Sequence, residues 1–146
     1  SRQVYNCGKL TLTLVGPQLG GSIRALAAKN DLTFAAVKNV IVECKRVHRS
    51  GVYRGHTAPV VQLLALGDHL LSLGSDGLLC MWRICSYDKP EAQTVLPEGF
   101  KPTCMAHPDT YLNKVVVGSE DGQMVLINFM TGKLLYTFAG WGSAVR

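Results

Sequence analysis

"LLSLGSDGLLCMWRI", residues 70 to 84, sets two apolar runs around a Gly-Ser-Asp-Gly turn, and the second run carries a Trp. Such a stretch suits a Gly-rich ligand loop, the edge of a site with a catalytic Asp, or a hairpin in a repeated sheet. Internal repetition separates these readings. Residues 118 to 129 read "GSEDGQMVLINF", which puts Asp121-Gly122 a fixed 45 residues after Asp76-Gly77. Residues 35 to 46 read "AAVKNVIVECKR", which puts Lys38-Asn39 38 residues before it. All three copies hold an apolar strand, a polar two-residue turn and a second apolar strand. Asp-Gly and Asn suit hairpin turns because positive φ is needed there.

Working outward, "SIRALAA", "APVVQLLAL" and "KPTCMAHP" each supply one more short apolar strand before a hairpin. "FMTGKLLYTFAGW" follows the third hairpin, and "NCGKLTLTLVG" near the start matches it, Gly8-Lys9 on Gly132-Lys133. Each unit therefore holds about four short strands in roughly 40 residues, the size of a β-propeller blade. Helical periodicity is not sustained anywhere, so almost no helix is expected. The expected fold is all-β, a propeller fragment of about three and a half four-stranded blades. Residues 1–15 are expected to be outer strands of a preceding blade. Divergent blades are expected at 16–54 and 99–139, the best-formed blade at 55–98, and the first strand of a further blade at 140–146.

Composition bounds the function. The 146 residues suffice for one ordinary core, and 47% are apolar, so the chain folds. No charged-then-apolar leader opens it, and no apolar run reaches the roughly 20 residues that span a bilayer. The five cysteines, Cys7, Cys44, Cys80, Cys85 and Cys104, form no Cys-x-x-Cys pair. Their odd number argues against a disulfide framework and their spacing against a zinc ribbon. Thiols as small core or surface residues imply a reducing compartment, and the absence of an Asn-x-Ser/Thr sequon agrees. The net charge of +5 permits contact with nucleic acid or an acidic partner.

The second unit carries Gly55-His56, Ser72, Asp76 and Trp82. In this it resembles the WD-repeat family. The resemblance implies a buried chain of hydrogen bonds: His56 to the turn residue Asp76 and to Ser72, and Ser72 to the Trp82 indole. Each is a polar group that costs free energy when buried without a partner. The other units depart from the pattern. The third has Ile127 in the Trp place and Asn128 in the final Asp place, and Gly99-Phe100 near the expected Gly-His. A following unit opens on Gly140-Trp141, and the first has Lys38-Asn39 at its turn and no Trp.

"VYNCGKLTL", "GDHLLSLGSDGLLCMW", "HPDTYLNKVVVGSEDG" and "TGKLLYTFAGWG" resemble one branch of that family more closely. It is the WD-repeat branch of the UtpB subcomplex, associated with U3 small nucleolar RNA in the small-subunit processome. The likeness implies a non-catalytic scaffold in processing of pre-ribosomal RNA, in the nucleolus or nucleus. Its expected partners are other UtpB WD-repeat subunits and small-subunit processome proteins, with U3 or pre-ribosomal RNA nearby. No cofactor, metal, membrane or small-molecule substrate is expected. The alternative is a peptide-recognition propeller, such as a ubiquitin-ligase substrate receptor.

Other readings of single motifs are weaker. His56, Ser72 and Asp76 loosely fit a nucleophile triad, but Ser72 sits in a strand and lacks the Gly-x-Ser-x-Gly elbow. "GPQLGGS", 16 to 22, lacks the lysine and spacing of a phosphate loop. His48, His56, His69 and His107 show no ligand spacing with cysteine, and Cys80 and Cys85 are expected on the third strand of the unit, either side of Trp82. "KRVHRSGVYRGH", 45 to 56, is the most basic run. Its Lys45, Arg46, Arg49 and Arg54 are the candidates for contact with RNA phosphate or an acidic partner. The competing reading is an exposed edge hairpin kept soluble by charge.

Overall fold

The structure is a computed structural model that describes residues 5–6, 9–10, 17–110 and 112–138. Its regular elements are all strands. Tyr5–Asn6 (β1) and Lys9–Leu10 (β2) pair as a short antiparallel ribbon. The rest of 1–15, and the further strand expected at 140–146 with Gly140-Trp141, lie outside the described residues.

Three four-stranded antiparallel sheets follow, each a simple meander. The first holds Ile23–Lys29 (β3), Leu32–Val37 (β4), Val40–Lys45 (β5) and His48–Arg54 (β6). The second holds Val60–Leu66 (β7), His69–Gly74 (β8), Leu78–Arg83 (β9) and Ala92–Val95 (β10). The third holds Pro102–Ala106 (β11), Lys114–Ser119 (β12), Met124–Asn128 (β13) and Lys133–Phe138 (β14). The leading strands β3, β7 and β11 are neighbours, so the sheets stand side by side and pack face to face.

This stacking explains why the opening stretch reads as nearly unbroken apolar runs. Side chains alternate between the faces of a strand, and the second sheet is covered on both. Pairing of β8 with β9 sets Leu70 opposite Trp82 and Ser72 opposite Cys80. That face meets Phe34, Ala36, Ile41 and Tyr53 of the first sheet. Leu71 opposite Met81 and Leu73 opposite Leu79 form the other face. It meets Val115, Val117, Val125 and Ile127 of the third sheet, with Leu96 and Phe100 closing the end. Burying each such side chain contributes about 1.5–3 kcal/mol. By contrast every residue of β14 is exposed, including Leu134, Tyr136 and Phe138.

Two local expectations are corrected. In the first sheet's hairpin the positive φ falls on Lys38, at 55°, and not on Asn39. A non-Gly residue there is uncommon, and this turn is pinned from outside. Val60 N–H donates to the Lys38 carbonyl (2.8 Å), and Asn39 Nδ2 donates to the His56 carbonyl (3.1 Å). Asn39 thus ties the first unit to the second instead of supplying the turn's backbone conformation. Cys85 does not share a strand with Trp82. β9 ends at Arg83, and Cys85 occupies a left-handed turn with φ 71°.

Candidate functional site

The residues singled out by sequence fall in one buried polar network and at the two ends of a basic hairpin, and a second buried network lies beside them. The first network lies within the second sheet. His56 Nε2 is 2.7 Å from Ser72 Oγ, and Trp82 Nε1 donates to the same oxygen at 2.8 Å. Ser72 and Trp82 are fully buried and His56 nearly so. With its hydroxyl engaged on both sides and shut off from solvent, Ser72 is poorly placed to attack a substrate. The expected bond from His56 to Asp76 is absent: His56 Nδ1 is buried without a partner. Asp76 instead accepts from Leu78 N–H (3.3 Å) and the Thr57 hydroxyl (3.5 Å).

Asp76 and His56 nonetheless stand beside each other, across Gly74. A Cβ on Gly74 would lie 2.6 Å from Asp76 Oδ1 and 2.9 Å from His56 Nδ1. Only glycine leaves that space open. The third sheet shows the alternative. Ser119 stands in the place of Gly74 there. There the Ser119 hydroxyl bonds the Asp121 carboxylate and accepts from Gln123 N–H (2.9 Å). Burial holds the His56 imidazole below its ordinary value, with the nearby Asp76 carboxylate pulling it up.

The second network, which sequence reasoning missed, joins the first two sheets. Glu43 on β5 is 1% exposed, yet no cation among the described residues pairs with it. Its carboxylate accepts from three hydroxyls: Tyr53 to Oε1 (2.6 Å), Ser50 to Oε2 (2.8 Å) and Tyr87 to Oε2 (2.5 Å). Tyr53 in turn accepts from Cys85 N–H (3.0 Å). Tyr87 and Cys85 belong to the segment after β9, so the network crosses between sheets. Ser50 reaches Glu43 because a β-bulge between Glu43 and Cys44 sets an extra residue in β6. Tyr87 reaches it because Gly51 has no side chain: a Cβ there would sit 2.2 Å from the Tyr87 ring. Burial, and then the bond to Glu43, push both phenols above their ordinary value. Tyr53 packs edge-on against Trp82, centroids 5.4 Å apart, so the two networks share a wall.

The candidate cations do not form one patch. Lys45 and Arg46 flank the β5–β6 turn, and Arg49 lies opposite Cys44 beside them. Lys45 pairs with Asp31 (3.8 Å), whose carbonyl accepts from Arg46 N–H (3.2 Å). Arg54 lies opposite Val40 at the far end of the same hairpin, about 16 Å from Arg49 at roughly 3.3 Å per residue. It shares that end with Arg24 and Lys38, which the run at 45–56 does not include. Charge is uneven between units. Residues 17–58 carry seven Lys/Arg against two Asp/Glu, residues 59–101 three against five, and residues 102–138 two against three.

Burial pushes the Cys80 thiol up to about 11 and raises that of Cys44. Neither is thus a ready thiolate. Among the described residues no group of three or more His, Cys, Asp or Glu is placed to hold a metal ion. No helix among them is long and apolar enough to cross a membrane.

Comparison with known proteins follows the same lines. The family model described as the WDR36/Utp21 first beta-propeller matches residues 1–146. WD repeat-containing protein 36 of Homo sapiens is 39% identical over 145 residues, covering 97% of this chain and 16% of that protein. The U3 small nucleolar RNA-associated protein 21 homolog of Schizosaccharomyces pombe (strain 972 / ATCC 24843) is 32% identical over 142 residues, 93% of this chain and 16% of that protein. The chain thus spans about a sixth of the length of these relatives. Among solved structures, the WD40 beta propeller domain of Doa1 superposes with a TM-score of 0.73 at 17% identity, over 88% of this chain and 43% of that one. The computationally designed Ika4 protein superposes at 0.74 and 22%, over 92% and 84%. These two likenesses concern the fold alone.

Proposed function

This chain belongs to the WDR36/Utp21 first beta-propeller family, and from that premise we propose that it serves a non-catalytic scaffold in small ribosomal subunit biogenesis. The carrying observation is a match, over 93% of this chain, to part of a relative named for its association with U3 small nucleolar RNA. The chemistry of the chain supports the scaffold part of this reading. Its buried nucleophile and carboxylate, Ser72 and Glu43, are saturated by neighbouring side chains. They order sheets and offer nothing to a substrate.

In this reading the protein works in the nucleolus or nucleus, beside UtpB subunits and other small-subunit processome proteins. The basic first unit is the part turned toward U3 or pre-ribosomal RNA. Lys45, Arg46 and Arg49 form one contact with phosphate, and Arg54 belongs to a separate one at the other end of the hairpin. The test is purification of the full-length protein with its bound RNA. Recovery of U3 RNA with ribosome-assembly proteins is expected, and recovery of a cullin-type ligase in their place would sink the reading. Reversing the charge of Lys45, Arg46 and Arg49 is expected to weaken RNA binding at low salt. It is also expected to flatten the salt dependence by roughly 0.7 log units per lost phosphate contact on a single strand. Unchanged binding removes the hairpin from the RNA path.

A further inference from the structure

The glycine-rich segment 16–22 has no lysine of its own. The fold brings one to it from another part of the chain. A Cβ on Gly21 would lie 2.8 Å from Val37 Cγ1 and 3.9 Å from Lys38 Cε. The loop therefore lies close on the β4–β5 turn, with the Lys38 side chain beside it. Gly20, at φ 79°, is exposed, and a Cβ there would meet nothing within 4 Å. Among the described residues no acceptor bonds the N–H of Gly20 or Gly21.

Two arginines flank this pairing of loop and turn. Ile23 lies opposite Val37, Val37 opposite Val40 and Val40 opposite Arg54, so one row crosses all four strands. Arg24 follows Ile23 in the β-bulge before Ala25, and Lys38 stands in the turn midway along the row. Arg24 and Arg54 are thus on the two outer strands, about 14 Å apart at three strand spacings. Arg24, Lys38 and Arg54 are all exposed. Among the described residues none of them has an ion pair or a side-chain hydrogen bond. Neither carboxylate of the first unit reaches them. Asp31 sits at the opposite end of the sheet, paired with Lys45, and Glu43 is buried and bonded to three hydroxyls. From the second sheet, Asp76 borders the patch beyond Thr57, whose hydroxyl it accepts.

We infer that Gly20, Gly21, Arg24, Lys38 and Arg54 form a track for the phosphodiester backbone of a single RNA strand, crossing the end of the first sheet from β3 to β6. Three cations spread over this width do not close on one phosphate, whereas successive phosphates of an extended strand meet each in turn. The open glycine N–H groups add donors that a phosphate oxygen reaches with no side chain in the way. An acidic protein segment is the poorer fit. Protein interfaces are built around an apolar core, and Ile23 is the one large hydrophobic side chain exposed at this end of the first sheet among the described residues. Its other exposed groups there, Ser22, Asn39 and the glycines, are small or polar. The choice of RNA rests on the ribosome-biogenesis reading. The inference deepens that reading by setting the Arg54 contact on a surface with a defined path.

The test uses the purified full-length protein and a short fluorescein-labelled single-stranded RNA. Binding is followed by anisotropy over a salt series, and lysine acetylation by acetic anhydride is mapped by mass spectrometry with and without the RNA. Lys38→Asn removes the charge and places at φ 55° a residue that adopts that conformation more readily, so it does not weaken the fold. Combined with Arg24→Gln and Arg54→Gln, both at exposed sites, it is expected to lower affinity about tenfold or more at low salt. The slope of log affinity against log salt is expected to shrink by roughly 2 for three lost phosphate contacts. In the parent protein, RNA is expected to protect Lys38 from acetylation. An unchanged slope, or Lys38 acetylated equally with and without RNA, overturns the inference. So does equal protection by inorganic phosphate alone, which makes this a lone-anion site, or displacement of the RNA by polyglutamate as effectively as by unlabelled RNA. U3 RNA recovery from cells is a separate reading. Recovery with Lys38 unprotected sinks the track and leaves the scaffold reading standing; Lys38 protected without recovery does the reverse.

Discussion

The network inside the second sheet and the network between the first and second sheets bury similar numbers of polar groups by opposite means. His56, Ser72 and Trp82 are uncharged partners around one hydroxyl, and they end on a ring nitrogen with no partner. Glu43 is a buried carboxylate surrounded by hydroxyls and, among the described residues, without a counter-ion. The first fixes a hairpin to the loop that leads into it. The second fixes one sheet to the next. The difference separates local order within a blade from the joint between blades, and each can be broken alone.

The largest effect is expected from Glu43→Ala. It removes the acceptor of three hydroxyls, two of them tyrosine, and leaves a cavity in the joint. Unsatisfied buried donors cost about 1–3 kcal/mol each, so a loss of roughly 3–5 kcal/mol by denaturant unfolding is expected, with the cavity included. Hydrogen exchange checks where the loss falls. Faster exchange in both β6 and residues 83–87 is expected, because the network spans them. Faster exchange in β6 alone removes the claim that Glu43 joins two sheets.

Ser72→Ala comes next, at about 2–3 kcal/mol, since it strands two donors or acceptors at once. Its exchange effect is expected in β8, β9 and the loop at 55–59, with 83–87 unchanged. Tyr53 is the point of contact between the networks, because its ring lies on Trp82 while its hydroxyl lies on Glu43. A double-mutant cycle between Ser72→Ala and Tyr53→Phe keeps that ring and removes only the hydroxyl. Additivity within about 0.5 kcal/mol is expected for independent networks, and a larger coupling makes them one.

The two networks were unequally legible. The first was visible in sequence because its residues together form a recognisable repeat mark, although the neighbouring units do not keep it. The strands were visible through repetition: Asp76-Gly77 and Asp121-Gly122 punctuate apolar runs of regular length. The Glu43 network has no such signature. Its members, Glu43, Ser50, Tyr53 and Tyr87, are spread over 44 residues and meet only through a β-bulge and a gap at Gly51. One signal was available. Glu43 interrupts "VIVEC", where a charge in a doubly covered strand demands partners. The basic run misled in another way. Sequence adjacency joined Arg54 to Lys45, and the strand between them carries Arg54 to the other end of the hairpin.

pH separates the networks without mutation. On the alkaline side, Tyr53 and Tyr87 have folded-state values raised above the ordinary 10. Their contribution is full below pH 10 and is lost as pH rises beyond it, where the unfolded chain ionises and the folded one does not. Absorbance titration is expected to show tyrosinate from these two only as the fold opens. Tyr87→Phe is expected to shrink that alkaline loss.

On the acid side the smaller effect belongs to His56. Its folded-state value is lowered from 6.5 by burial, partly offset by Asp76. Its contribution is therefore full above pH 6.5 and is lost as pH falls from there toward the folded value, because the unfolded chain takes up the proton first. Asp76 limits the loss. The ring stands beside the Asp76 carboxylate across Gly74, and that charge favours the protonated imidazole. Unfolding midpoints measured between pH 7 and pH 5 are expected to fall less in His56→Gln than in the parent. In Asp76→Asn they are expected to fall more. If Asp76→Asn leaves the acid limb unchanged, the carboxylate does not act on His56, and the first network ends at the ring.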